Sequence, residues 1–141
     1  MEGKRDDRAE LEERGLAPIP DDIAKLKAAV EGLTYPSESD EPFEVVRWEN
    51  LGRGDMAVLV GEHGGKGRKV KQVGINEFFE GLREADDAEG YEQLRRTLEG
   101  VARDVKVLRV GDGEVSVDVY VLGSSRADRS VVGVHTVSTE T

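Results

Sequence analysis

Seven residues near the end of the chain, Val115-Ser116-Val117-Asp118-Val119-Tyr120-Val121, place a β-branched apolar residue at every second position. A period of two puts Val115, Val117, Val119 and Val121 on one face of a strand, and Ser116, Asp118 and Tyr120 on the other. Such a strand cannot stand alone. Its main-chain groups need neighbouring strands, and its valines need an apolar layer above them. The alternation predicts a strand through Val115–Leu122, preceded by one at Lys106–Val110. Gly111-Asp112-Gly113 between them supplies the positive-φ positions of a tight turn. A last strand is predicted through Val131–Val137.

The preceding residues supply the covering layer. Ile23, Leu26, Val30 and Leu33 recur at helical spacing behind Asp21 and Asp22, whose carboxylates suit the first turn. This predicts an amphipathic helix over 22–32, with Gly32 as its stop. Ile75, Phe78, Phe79 and Leu82 share one helical face, and Tyr91, Leu94, Leu98, Val101 and Ala102 share another. Gly100 costs the latter about 1 kcal/mol relative to alanine, so packing must hold that helix. A polar acidic loop, Ser37–Pro42, leads into a strand at Phe43–Glu49. The runs Met56–Val60 and Lys69–Val73 read as further strands, joined by the Gly-rich Gly61–Gly67 as a flexible hairpin loop. The order predicts an α/β or α+β sandwich with a mixed, largely antiparallel sheet.

Length and charge narrow the function. The chain has 141 residues, about 37% hydrophobic, with 30 acids against 20 bases and a net charge of −10. That suits one domain with an ordinary core. Without cysteine there is no disulfide, thiolate metal site or thiol nucleophile. No apolar run approaches the roughly 18 residues of a membrane span, and the start of the chain has no secretory h-region. A cytoplasmic location without membrane attachment is expected. The negative balance argues against direct nucleic-acid binding, which depends on Lys and Arg at phosphates. Residues 1–44 carry 13 acids and 6 bases, whereas 45–75 invert the balance with 3 acids and 6 bases, among them Lys66, Arg68, Lys69 and Lys71. Residues 1–16 are highly charged, with little large apolar content beyond Leu11 and Leu16.

No motif builds a catalytic site. Gly52-Arg53-Gly54-Asp55-Met56-Ala57 matches G-x-G-x-x-A in letters, but Val58-Leu59-Val60 behind it reads as a strand. A dinucleotide site needs a helix N-terminus there. The Gly61–Gly67 loop lacks phosphate-loop spacing, and Arg53-Gly54-Asp55 is a common tripeptide. His63 and His135 are the only histidines, too few for a metal centre without arbitrary carboxylates, and both read as surface or edge residues. One Trp, three Tyr and three Phe are poor material for a sugar cleft. Neither an enzyme nor a cofactor, resident metal or small-molecule substrate is expected.

Two blocks point elsewhere. Ser37-Glu38-Ser39-Asp40-Glu41-Pro42-Phe43-Glu44-Val45-Val46-Arg47-Trp48-Glu49 resembles the S-E-S-[DE]-x-P-F-E-V-x-x-W-E signature of the nuclease A inhibitor family, small acidic bacterial proteins that inhibit sugar-non-specific DNA/RNA endonucleases. Val117–Gly123, Gly133-Val134-His135-Thr136 and Thr139-Glu140-Thr141 are similar to that family's D-V-Y strand and its Thr-terminated tail, and Phe78-Phe79 to its helix-opening aromatic pair. The resemblance covers residues 21–141 and leaves 1–20 as a charged, mobile N-terminal extension. It implies a three-layer α/β/α sandwich and a one-to-one complex in which an acidic loop and the C-terminal tail plug a metal-containing nuclease site. Glu38 would pair with an active-site arginine, and Thr141 would approach the partner's metal through its hydroxyl or carboxylate. Ser37, Asp40, Thr139 and Glu140 complete the implied contact set. Pro42, Phe43, Val45, Trp48 and Tyr120 read instead as turn and core residues. The basic stretch 66–71 departs from the family pattern. It and the extension motivate the alternative, a non-inhibitory protein-binding domain of the same fold with a different partner.

Overall fold

The computed structural model describes residues 21–49, 56, 59–61, 67–111 and 114–140. In chain order the elements are α1 (Asp21–Val30), β1 (Glu44–Glu49), β2 (Val70–Val73), α2 (Ile75–Glu80), α3 (Ala88–Val101), β3 (Ala102–Val110), β4 (Ser116–Ser125) and β5 (Ser130–Thr139). The strands form one sheet in the order β1-β5-β4-β3-β2. The architecture is α+β. Every neighbouring pair is antiparallel, which corrects the mixed sheet to an antiparallel one among the described strands. For β3–β4 and β4–β5 the reason lies in the connections, which are too short for the crossovers that parallel neighbours need. Residues 1–20, read as an extension, lie outside the described residues. Among the described residues no helix is long and apolar enough to cross a membrane.

The alternation in β4 sorts the core. Val117, Val119 and Val121 face α1 and α3, and join Val107, Val132 and Val134 beneath Leu26, Val30, Leu94 and Leu98. Val115 is the exception. It precedes β4, lies past the helical cover and is 61% exposed. Gly32 takes φ +75 and stops α1 as expected, with the Leu33 amide donating to the Val30 carbonyl. The opposite sheet face is also apolar. Leu108, Val110, Tyr120, Leu122 and Val131 cluster there with Met56, Leu59 and Val60.

Met56–Val60 is a second correction. Met56, Leu59, Val60 and Gly61 are helical, not extended. Positions 56, 59 and 60 stand at i, i+3 and i+4 and share one helical face. So short an apolar run fits either period. The hairpin expected across Gly61–Gly67 goes with that strand. β2 pairs with β3 instead, and residues 62–66 lie outside the described residues.

Two sites lock the elements together. Arg47 on β1 donates from Nη1 to the Ser130 hydroxyl (2.7 Å), from Nη2 to Asp128 (2.6 Å) and from Nε to Asp22 (3.3 Å). Asp22 is only 6% exposed and also accepts from the Ser125 hydroxyl, so α1, β1 and the β4–β5 turn meet at one charge pair. Gly133, opposite Val46 and Leu122, sits where a Cβ would lie 2.0 Å from the Val121 carbonyl oxygen and 2.8 Å from Leu122 Cα.

Two outcomes are expected. Gly133→Ala must push two central strands apart and should lower unfolding stability by at least about 2 kcal/mol in urea titrations. The Arg47 hydrogen bond, with the Ser130 amide, holds the Asp128 carboxyl down at about 2. A depressed acid contributes stability above its unfolded value near 4 and loses it as pH falls towards 2. The urea-midpoint gap between wild type and Asp128→Asn should therefore be full at pH 5 and shrink to a small remainder by pH 2. A gap that is constant with pH would contradict it.

Candidate functional site

The acidic loop is built on a pinched stem. Thr34 and Pro42 form an isolated antiparallel bridge, and the Tyr35 amide donates to the Glu41 carbonyl at 2.8 Å. Aromatic rings brace the stem. Tyr35 stacks on Phe78 of α2 at 5.8 Å and meets Phe43 edge-on at 6.2 Å. From α3 the Tyr91 hydroxyl donates to the Thr34 carbonyl at 2.5 Å. Asp40 turns the loop through φ +48, a left-handed conformation that Asp tolerates better than most residues. Glu38 and Asp40 are exposed at its tip.

The end of β5 closes onto this loop. The Thr139 amide donates to Ser37 Oγ at 3.2 Å, and the hydroxyls of Ser39 and Thr139 are 2.7 Å apart. Deeper in, Thr136 Oγ1 donates to the carbonyls of Pro42 (3.0 Å) and Glu41 (3.3 Å). Glu140 continues the sheet by one bond, its amide donating to the Val115 carbonyl at 2.7 Å. Its carboxylate takes Arg109 Nη2 at 2.7 and 2.8 Å and the Ser138 hydroxyl at 2.9 Å. Two segments about a hundred residues apart thus form one surface.

That surface is acidic beyond the loop. Burial raises the Tyr91 phenol above its ordinary value, and the charges of Asp87 and Asp40, with Asp86, raise it further. Asp40 at the loop tip and Asp86 and Asp87 before α3 are all exposed. Such a surface can offer carboxylate and hydroxyl oxygens to cations or guanidinium groups. Among the described residues, no group of three or more His, Asp or Glu is placed to hold a metal ion.

The family profile described as nuclease A inhibitor-like protein matches residues 21–141. The chain belongs to that family. No curated protein sequence matches it. Of the residues the resemblance singled out, the nuclease A inhibitor-like domain brings Ser37 and Thr139 into direct contact, and carries Glu38 and Asp40 on the same loop. Glu140 lies beside them but is turned towards Arg109. Thr141 lies outside the described residues.

Sequence reasoning missed Ser39, Thr136, Arg109 and the two tyrosines. Arg109 had a visible signal, a guanidinium within the apolar strand Val107-Leu108-Arg109-Val110, which must have an acid partner to be tolerated there. It also misplaced His135. That histidine is on β5 inside the sheet, with a side chain 15% exposed, between Glu44 (2.9 Å from Nδ1) and Asp118 (2.7 Å from Nε2). A histidine in an alternating strand looks the same in sequence whether its strand is central or at an edge. Burial works against the Asp118 charge, but hydrogen bonds from His135 and Arg68 outweigh it and hold that carboxyl below its usual range.

Proposed function

We propose that this chain is a protein inhibitor of a sugar-non-specific DNA/RNA endonuclease. It forms a one-to-one complex and plugs the nuclease's metal-containing cleft with the acidic loop and the C-terminal tail. Membership of the nuclease A inhibitor-like family supports the coarse reading. The observation that most favours the finer one is the Ser37/Ser39–Thr139 clamp, which presents the loop and the end of β5 together. In this reading Glu38 meets an active-site arginine and Asp40 adds to the field around it. Ser37 and Thr139 hold the two segments in register, and Thr141 reaches the partner's metal or its bound water. Residues 21–141 form the inhibitory domain as a three-layer α/β/α sandwich, with Met56, Leu59 and Val60 marking the layer on the second sheet face. Residues 1–20 are an extension to it.

One cation of the basic stretch 66–71 that motivates the alternative is taken up within the fold, whereas Lys69 and Lys71 are exposed. Arg68, near its centre, is engaged within the fold by Asp118 at 2.5 Å, by Glu114 at 3.3 Å and by the Ser116 carbonyl at 3.0 Å.

Purified protein should abolish DNA cleavage by a member of a panel of sugar-non-specific endonucleases at near-equimolar ratio. Complete cleavage across the panel at large excess would sink the reading. Glu38→Ala and removal of Thr141 should each weaken inhibition by about tenfold or more without moving the melting temperature. Unchanged inhibition in both variants would remove the site assignment. Association should slow steeply as salt rises, because an acidic surface is steered into a cleft that attracts phosphates. A rate independent of salt would reduce the net charge to a solubility device.

A further inference from the structure

Arg109 stands at an unusual place for a guanidinium. It is 19% exposed on β3, between Leu108 and Val110, both buried, and opposite Val119 of β4. Its carboxylate partner comes from Glu140, immediately beyond the end of β5. One nitrogen, Nη2, reaches both Glu140 oxygens, at 2.7 and 2.8 Å, and Ser138 Oγ donates to Oε2 at 2.9 Å. The Glu140 main chain is tied as well, to Val115. Residue 140 is therefore held at both backbone and side chain, one position before Thr141. Arg109 reaches the loop side too. Burial raises the Tyr35 phenol, whose ring braces the loop stem, above its ordinary value, and the nearby charges of Arg109 and Glu140 oppose one another there.

We infer that Arg109 is a positioning residue: by gripping Glu140 it sets the direction in which the chain leaves the sheet and the spacing between that exit and the acidic loop. This rests on the inhibitor reading for its use, though not for its geometry. Arg109 acts through Glu140, and the Glu140 carboxylate serves the fold in place of the partner. A flexible exit would have to be ordered during binding, and that ordering weakens affinity. A preset exit avoids the loss.

The test separates geometry from use. In the free full-length protein, the heteronuclear NOE of the Glu140 amide should match that of β4 amides in wild type. It should fall in Arg109→Met while the β4 amides stay unchanged. Arg109→Lys should restore part of it, since one ammonium can still reach one oxygen. It also keeps the test usable if the Met variant folds poorly. With a nuclease that wild type inhibits, Arg109→Met should weaken inhibition by about tenfold, and removing Thr141 should then cost much less than it does in wild type. An equally rigid Glu140 amide in Arg109→Met overturns the positioning role whatever the inhibition shows. Equal costs of Thr141 removal in both backgrounds overturn its link to inhibition. A loosened amide in a protein that inhibits no nuclease of the panel upholds the positioning and overturns the inhibitor reading instead.

Discussion

The antiparallel ladder between β4 and β5 pairs residues from Ser116 with Thr139 to Ser124 with Val131, and the rest of the molecule follows from that register. Sliding β4 by one residue would exchange its two faces, turning Asp118 and Tyr120 towards α1 and α3 and withdrawing Val119 and Val121. The core would not survive it. The same register puts Thr139 at the end of the ladder and lets Glu140 reach Val115. The loop then has a fixed surface to meet. Ser37 and Ser39 bind Thr139, and the carbonyls of Glu41 and Pro42 bind Thr136. The candidate site is thus an outcome of sheet pairing as much as of its own residues.

How much of this could be read beforehand depended on the range of the physics involved. Local periodicity located α1, α3 and β4, because the pattern is written in neighbouring residues. It failed at Met56–Val60, where five residues fit two periods and only the partner surface of Leu108, Val110 and Leu122 decides between them. It failed at His135 because centrality in a sheet belongs to strand order, which no single strand encodes. For the site, Ser37, Glu38, Asp40 and Thr139 were legible through resemblance to a family motif. Their mutual contacts were not, since hydroxyls of serine and threonine carry no signal of which distant group they will bind. Arg109 was legible in principle, as a charge within an apolar strand in need of a partner, but nothing local named Glu140.

Arginine has a consistent structural use here. Arg47, Arg68 and Arg109 each join segments far apart in sequence, and each meets carboxylates at partly buried positions. Planar guanidinium groups can bind two or three acceptors at once, which suits junctions between elements better than a lysine would. Part of the chain's positive charge is thereby held inside the fold. The carboxylates at the loop tip and at Asp86 and Asp87, near Tyr91, are exposed. The electrostatic character of the surface is therefore set by where the arginines are engaged, as well as by the excess of acids.

The clamp between the loop and β5 also bears on biosynthesis. Ser37 and Ser39 bind Thr139 across 102 and 100 residues of chain. β3, β4 and β5 can pair through nearby turns as soon as they are made, whereas β1 must wait for β5 before it has a neighbour in the sheet. The acidic loop is translated before β5, and it cannot acquire its final shape until β5 has been made. Presentation of this surface is thereby tied to synthesis of β5, and a chain truncated before β5 would carry the motif without the shape.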